Sequence, residues 1–155
     1  MDVFRIAKCQ YINDLSGAGA RLYGGRWNSK GLAAVYTGSS RSLAALEALA
    51  HIPQKNLPSN LCIAAIHIPE DISIKTISVK NLPEGWRSIP ILAALQEIGD
   101  RWLKEKKQAV LRVPSVIIPE EWNYLINPLH ADAHRIRIKN VSYFIFDERL
   151  EKERD

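Results

Sequence analysis

Leu61-Cys62-Ile63-Ala64-Ala65-Ile66-His67-Ile68 is a nearly unbroken apolar run set between Pro58 and Pro69. A short apolar run closed at both ends by breakers fits a buried strand. The segments around it decide what kind of sheet it joins. Upstream, residues 3–6 and 33–37 read as strands, and Ser39 or Ser40 can cap a helix that runs to about His51 and stops at Pro53. Downstream, Ile91, Leu92, Leu95, Ile98, Trp102 and Leu103 recur at helical spacing behind the start signals Ser88 and Pro90. The basic run 104–107 closes that helix, where cations suit the dipole. Residues 109–113, 116–118, 136–138 and 143–146 are short β-leaning runs separated by turns and prolines. The glycine-rich stretch 16–28 reads as loop with short strands. Helices and strands do not alternate regularly, so the pattern predicts an α+β fold on a mixed or antiparallel sheet rather than a doubly wound parallel one.

The chain has 155 residues, 46% of them apolar and 25% charged, close to the average of globular proteins. No repeat or linker divides it, so residues 1–155 are expected to form one compact domain, with 148–155 as a charged, partly frayed tail. The apolar runs fall far short of the roughly 20 residues that cross a bilayer, and no leader pattern opens the sequence. A cytoplasmic protein without membrane contact is expected. Cys9 and Cys62 are the two cysteines, too few for a disulfide scaffold, and reduced thiols are expected. The net charge of +4 is spread along the chain, which does not suggest direct nucleic-acid binding.

Gly17-Ala18-Gly19 invites a dinucleotide fingerprint, but Leu22 stands where the third glycine belongs. The glycines around Arg21 and Arg26 suit either a compact loop with tight turns or a backbone passing close to a phosphate-bearing ligand. In the 40–51 helix, Leu43, Glu47 and His51 fall on one face, with Leu46, Leu49 and Ala50 flanking the glutamate. A carboxylate at the edge of a core needs a reason: an ion pair with Arg21 or Arg26, or a catalytic task. His130 and His134 bracket Asp132 at a spacing that can bind metal in a helix, yet no further ligand joins them and no metal is expected. Neither a nucleophile elbow nor a paired C-x-x-C motif occurs.

Gly24-Gly25-Arg26-Trp27-Asn28, Leu46-Glu47 within a helix, Val113-Pro114-Ser115 and Asn127-Pro128 together resemble the RES domain, the toxin half of RES–Xre toxin–antitoxin pairs. The likeness extends through residues 15–20, 35–37, 99–103 and 123–130. It implies a fold similar to that of ADP-ribosyltransferases and an enzyme that breaks down NAD by hydrolysis or phosphorolysis, NAD being substrate and no cofactor being required. It also implies Arg26, Glu47 and Ser115 as catalytic residues. Tyr36, Asn28, His51 and Asn127 are implied, beside Arg26, as NAD-binding positions. The implied partner is an Xre-like helix-turn-helix antitoxin in a hetero-oligomer. Transfer of ADP-ribose to a host protein, or a non-catalytic module that binds NAD or the antitoxin, are the alternatives.

The residue types suit that chemistry. Breaking the nicotinamide–ribose bond builds positive charge on the ribose, which a nearby carboxylate such as Glu47 stabilises. Arg26 would clamp the pyrophosphate, Tyr36 would stack on a ring, and Ser115 would hydrogen-bond the ribose or the carboxamide.

Overall fold

The computed structural model describes residues 1–52 and 57–150. In chain order it holds β1 (Asp2–Lys8), α1 (Ala18–Tyr23), β2 (Val35–Gly38), α2 (Arg41–His51), β3 (Leu61–His67), β4 (Ile74–Thr76), α3 (Ala93–Glu105), β5 (Val110–Pro114), β6 (Trp122–Ile126) and β7 (Arg137–Phe144). The strands form one sheet in the order β4-β5-β6-β2-β1-β3-β7. Among the described residues only β4 and β5 pair in parallel; the other neighbours are antiparallel. The sheet is therefore mixed and the fold is α+β.

The apolar run is β3, held between β1 and β7, with Leu61 through Ile66 all buried. Period-two alternation sorts the other central strands onto two faces. Val35, Val110, Tyr124 and Ile126 join Val3, Cys62, Ala64 and Ile66 in one hydrophobic cluster. Tyr36, Leu111, Val113 and Leu125 point the other way, into a second cluster with Trp27, Leu95, Trp102 and Leu103.

Both long helices lie on that second face. Ser40 caps α2, its Oγ accepting from the Leu43 amide at 3.0 Å, a bond worth about 1 kcal/mol. The helix packs against β1 and β2, with the Arg41 guanidinium 4.4 Å from the centre of the Phe4 ring. Helix α3 buries Leu95, Gly99, Trp102 and Leu103, one stripe at helical spacing. It begins behind Leu92 without a side-chain cap, Ser88 and Pro90 lying in the segment ahead. Trp102 is 1% exposed and its Nε1 donates to the Gln108 carbonyl at 2.9 Å, so this large side chain is buried without an orphaned donor.

Several expectations need correction. Within the glycine-rich stretch a six-residue helix, α1, forms between Gly17 and Gly24, both of which take positive φ. Residues 116–118 are bends rather than strand, because the Ile117 and Ile118 amides turn back onto Ser115 Oγ. Residues 136–138 and 143–146 are not separate strands: 137–138 and 143–144 are the two ends of β7, and 145–146 lie beyond it. Strands β4 and β6 stand where none is expected. Cys9 and Cys62 are joined in a disulfide rather than reduced, since the antiparallel register of β1 and β3 brings their Cα atoms to 4.8 Å. Pro53 as a helix stop lies outside the described residues; the frayed tail does too, apart from a 3-10 turn at Glu148–Leu150.

Helix α3 touches the loop after α1 backbone to backbone. A Cβ on Gly99 would lie 1.7 Å from the Trp27 carbonyl oxygen. No rotamer relieves such a clash, so Gly99→Ala is expected to displace the loop and destabilise the chain by about 1–3 kcal/mol or more, read from urea denaturation. A substitution costing less than about 0.5 kcal/mol would show that helix and loop separate freely.

Candidate active site

Glu47 stands half-buried on α2, and the sheet beside it supplies its donors. Asn123 in β6 pairs with Gly38 on one side and Val113 on the other, which places it on the helix-covered face with Leu125. Its Nδ2 donates to Glu47 Oε1 at 2.6 Å. Ser115, one residue past the end of β5, donates its hydroxyl proton to the same oxygen at 2.8 Å. Among the described residues, Glu47 Oε2 receives no hydrogen bond. The carboxylate is thus fixed through one oxygen and leaves the other available.

Ser115 is fully engaged. Besides donating to Glu47, its Oγ accepts from the amides of Ile117 at 3.1 Å and Ile118 at 3.0 Å, and the residue is fully buried. A hydroxyl has one proton and two lone pairs, all used here. Asn123 is engaged on one side only: its Oδ1 is buried without a partner.

Arg26 sits in the turn after α1. Its Nη1 donates to the carbonyls of Trp86 at 2.9 Å and Ser88 at 3.4 Å. Partial burial pulls its pKa down, while the Glu47 carboxylate and the Tyr36 phenol act in the opposite sense. The Glu47 charge therefore reaches Arg26. Yet among the described residues Glu47 forms no ion pair, with Arg26 or with the exposed Arg21.

Tyr36 in β2 lies under the same turn. Its hydroxyl donates to Asn28 Oδ1 at 2.7 Å and accepts from the Trp27 amide at 3.1 Å, and burial raises its pKa well above the ordinary value. A Cβ on Gly25 would come 2.6 Å from that hydroxyl. The glycine here admits a tyrosine of the protein itself.

Two expected ligand positions are buried and engaged within the chain. Asn28 is fully buried, and its Nδ2 lies within hydrogen-bonding distance of the carbonyls of Ala20, Ser29 and Leu32 while its Oδ1 takes the Tyr36 hydroxyl. Asn127, 1% exposed, donates to the Leu103 carbonyl and accepts from the Leu129 amide just past the end of β6 opposite Asn123. In both side chains the amide nitrogen and oxygen each have a partner within the chain. His51 is exposed, with Nδ1 against the Glu47 carbonyl of its own helix. His130 Nδ1 accepts from the Asp132 amide as the cap of a 3-10 turn, and His134 Nδ1 lies against the Ala131 carbonyl. Sequence reading misses Asn123, whose signal is a polar residue alternating with Leu125 on an inward strand face.

A family model described as the RES domain matches residues 2–149. A protein of Sphingobium sp. named Prs ADP-ribosylating toxin is 42% identical over 93% of this chain and 91% of its own length. One of Yersinia enterocolitica named Toxin Res is 40% identical over 97% of this chain and 99% of its own length. Among solved structures, the Mycobacterium tuberculosis MbcT-MbcA toxin-antitoxin complex contains a chain that superposes with a TM-score of 0.73 at 16% identity, covering 92% of this chain and 83% of that one. At that identity the likeness is one of fold.

The hydrogen bonds make Ser115 costly to truncate. Ser115→Ala removes one donor to Glu47 and strands two partly buried amides. A loss of about 2 kcal/mol in stability is expected from chemical denaturation, and a neutral change would contradict the network.

Proposed function

This chain belongs to the RES domain family, and on that premise we propose that it is the toxin of a toxin–antitoxin pair, destroying NAD by cleaving the bond between nicotinamide and ribose. The observation that carries this reading is the Glu47 carboxylate held through Oε1 with Oε2 unengaged. As the carbon–nitrogen bond breaks, its electron pair leaves with nicotinamide and the ribose becomes an oxocarbenium-like cation. A carboxylate already fixed in place stabilises that charge without having to reorganise at the moment of reaction. Water then adds to the ribose carbon and loses a proton, giving ADP-ribose, or phosphate adds and gives its phosphate ester.

Arg26 is assigned to the pyrophosphate, where a planar guanidinium pairs with phosphate oxygens. The Tyr36 hydroxyl is already spent inside the protein, so its ring is the part left for stacking. Ser115 acts on the substrate through Glu47: its proton is committed to the carboxylate and its lone pairs to two backbone amides, which leaves its oxygen unfit to attack. NAD enters as substrate, with no cofactor invoked. A second reading is favoured by the name of the Sphingobium relative: a protein side chain captures the ribose cation, and the product is an ADP-ribosylated protein.

An enzyme that consumes NAD requires restraint, and the solved neighbour is a toxin–antitoxin complex. The assigned partner is a helix-turn-helix antitoxin of the Xre kind that covers the site in a hetero-oligomer. The cytoplasm, where NAD is abundant, is the assigned place of action; no described helix is long and apolar enough to cross a membrane.

Glu47→Gln keeps the side chain's size and one acceptor for Ser115 and Asn123 while removing the charge. Nicotinamide release by purified chain is expected to fall by on the order of 100-fold or more. Full release by that variant would remove Glu47 from the chemistry. In the wild-type protein, free ADP-ribose, its phosphate ester or a labelled protein acceptor identifies which fate the ribose meets.

A further inference from the structure

Arg26 lies at the tip of a very short turn. Gly25 and Asn28 form an isolated bridge, the Gly25 amide donating to the Asn28 carbonyl at 2.9 Å, so only Arg26 and Trp27 lie between the two ends. Trp27 is seated in the second hydrophobic cluster, while the half-buried Arg26 beside it must hold its guanidinium in one geometry to grip a ligand. This tip is gripped from α3. Gln96 Nε2 donates to the Gly25 carbonyl at 2.9 Å and reaches the Asn28 carbonyl at 3.3 Å, spanning both ends of the turn. One helical turn on, Asp100 Oδ1 accepts from the Ser29 amide at 2.8 Å. Between them Gly99 lets the Trp27 carbonyl come against the helix backbone. The guanidinium end of Arg26 is held by the Trp86 and Ser88 carbonyls, in the segment that leads into the same helix.

We propose that Gln96 is a positioning residue for ligand binding: its side-chain amide clamps the 25–28 turn so that the Arg26 guanidinium is presented to a pyrophosphate in a fixed orientation. Gln96 touches no ligand. It acts through Arg26, and the proposal rests on the assignment of Arg26 as the pyrophosphate clamp. A carboxamide is required because both turn partners are carbonyl oxygens, which need a donor. Gln96→Met keeps the length and apolar stem but removes the donor. Gln96→Glu keeps the shape and sets a carboxylate against two carbonyls.

The test measures binding of ADP, which carries the pyrophosphate without the scissile bond, by calorimetry on wild-type chain, Gln96→Met, Gln96→Glu, Arg26→Ala and the Arg26→Ala/Gln96→Met double variant. Loss of the clamp is expected to weaken ADP by about tenfold, with Gln96→Glu at least as severe. It is expected to add nothing once Arg26 is gone, because residues acting as one unit are not additive. Two variants guard against a fold defect in either one, and the double variant separates positioning from a general structural role, which would weaken ADP equally on both backgrounds. ADP binding unchanged in both Gln96 variants, an undiminished loss on the Arg26→Ala background, or no ADP binding by the wild-type chain would each overturn the proposal. Nicotinamide release from NAD by the wild-type chain is followed alongside. ADP results as expected without release would leave the role of Gln96 standing and remove NAD cleavage; release with ADP unaffected by Gln96 would remove the role of Gln96 alone.

Discussion

Glu47 is a charged group taken partway out of water, and the arrangement around it follows from that. Moving a carboxylate from solvent onto a half-buried helix face is costly unless donors replace the lost hydration. The commonest remedy would be an arginine, and Arg26 is near enough to feel the carboxylate. The chain uses neutral donors instead, the Ser115 hydroxyl and the Asn123 amide, both aimed at one oxygen. Neutral donors satisfy the carboxylate without cancelling its charge. A direct ion pair would do both, and would then have to be broken before Glu47 could answer a cation forming on a ligand.

That choice depends on the sheet. Asn123 can reach Glu47 only from the helix-covered face of β6, and a slip of one residue in pairing would send it to the opposite face. The register is fixed by what lies on both sides: Leu125 in the cluster with α3, Tyr124 and Ile126 in the cluster behind. The two hydrophobic clusters thus act as more than stability. They lock the alternation that presents Tyr36 and Asn123 on the same side as the helices. Asn123 carries a local penalty, a buried Oδ1 without a partner, of the order of 1–3 kcal/mol. A residue kept at that cost is better explained by what its Nδ2 holds than by packing.

Local patterns made much of this legible in the sequence. Ser40 with the apolar spacing to His51 marks α2, the Leu95-to-Trp102 stripe marks α3, and the run from Leu61 marks β3. Glu47 at the edge of the core is readable from helical periodicity alone, and the likeness of residues 24–28 and 113–115 to the RES domain points to Arg26 and Ser115. What is not legible depends on pairing. Trp122-Asn123-Tyr124 carries polar atoms at each position, and its strand character emerges only once β5 and β2 flank it. The Cys9–Cys62 bond spans 53 residues and exists because β1 and β3 pair in one register, which no spacing rule reveals. Helix α1 hides between two glycines, residues that ordinarily argue for loop. Asn28 and Asn127 show the converse: residue types suited to ligand binding are here consumed by carbonyls and amides of the chain itself.

The separation of Arg26 from Glu47 is the remaining physical point. Opposite charges within electrostatic reach attract, more strongly at a half-buried site than in water, so their failure to pair has to be enforced. On one side the enforcement is the pair of neutral donors on Glu47. On the other it is backbone: the Trp86 and Ser88 carbonyls hold the guanidinium, while the bridge between Gly25 and Asn28 keeps the turn too short to swing. Each group is thereby stabilised where it stands rather than by the other. A cationic group and an anionic one, each held by its own partners, suit a molecule that bears a pyrophosphate anion at one point and develops a cation at another. An uncharged or singly charged ligand would use only one of them, and charges preorganised in this way are what make differential binding of a charged transition state possible.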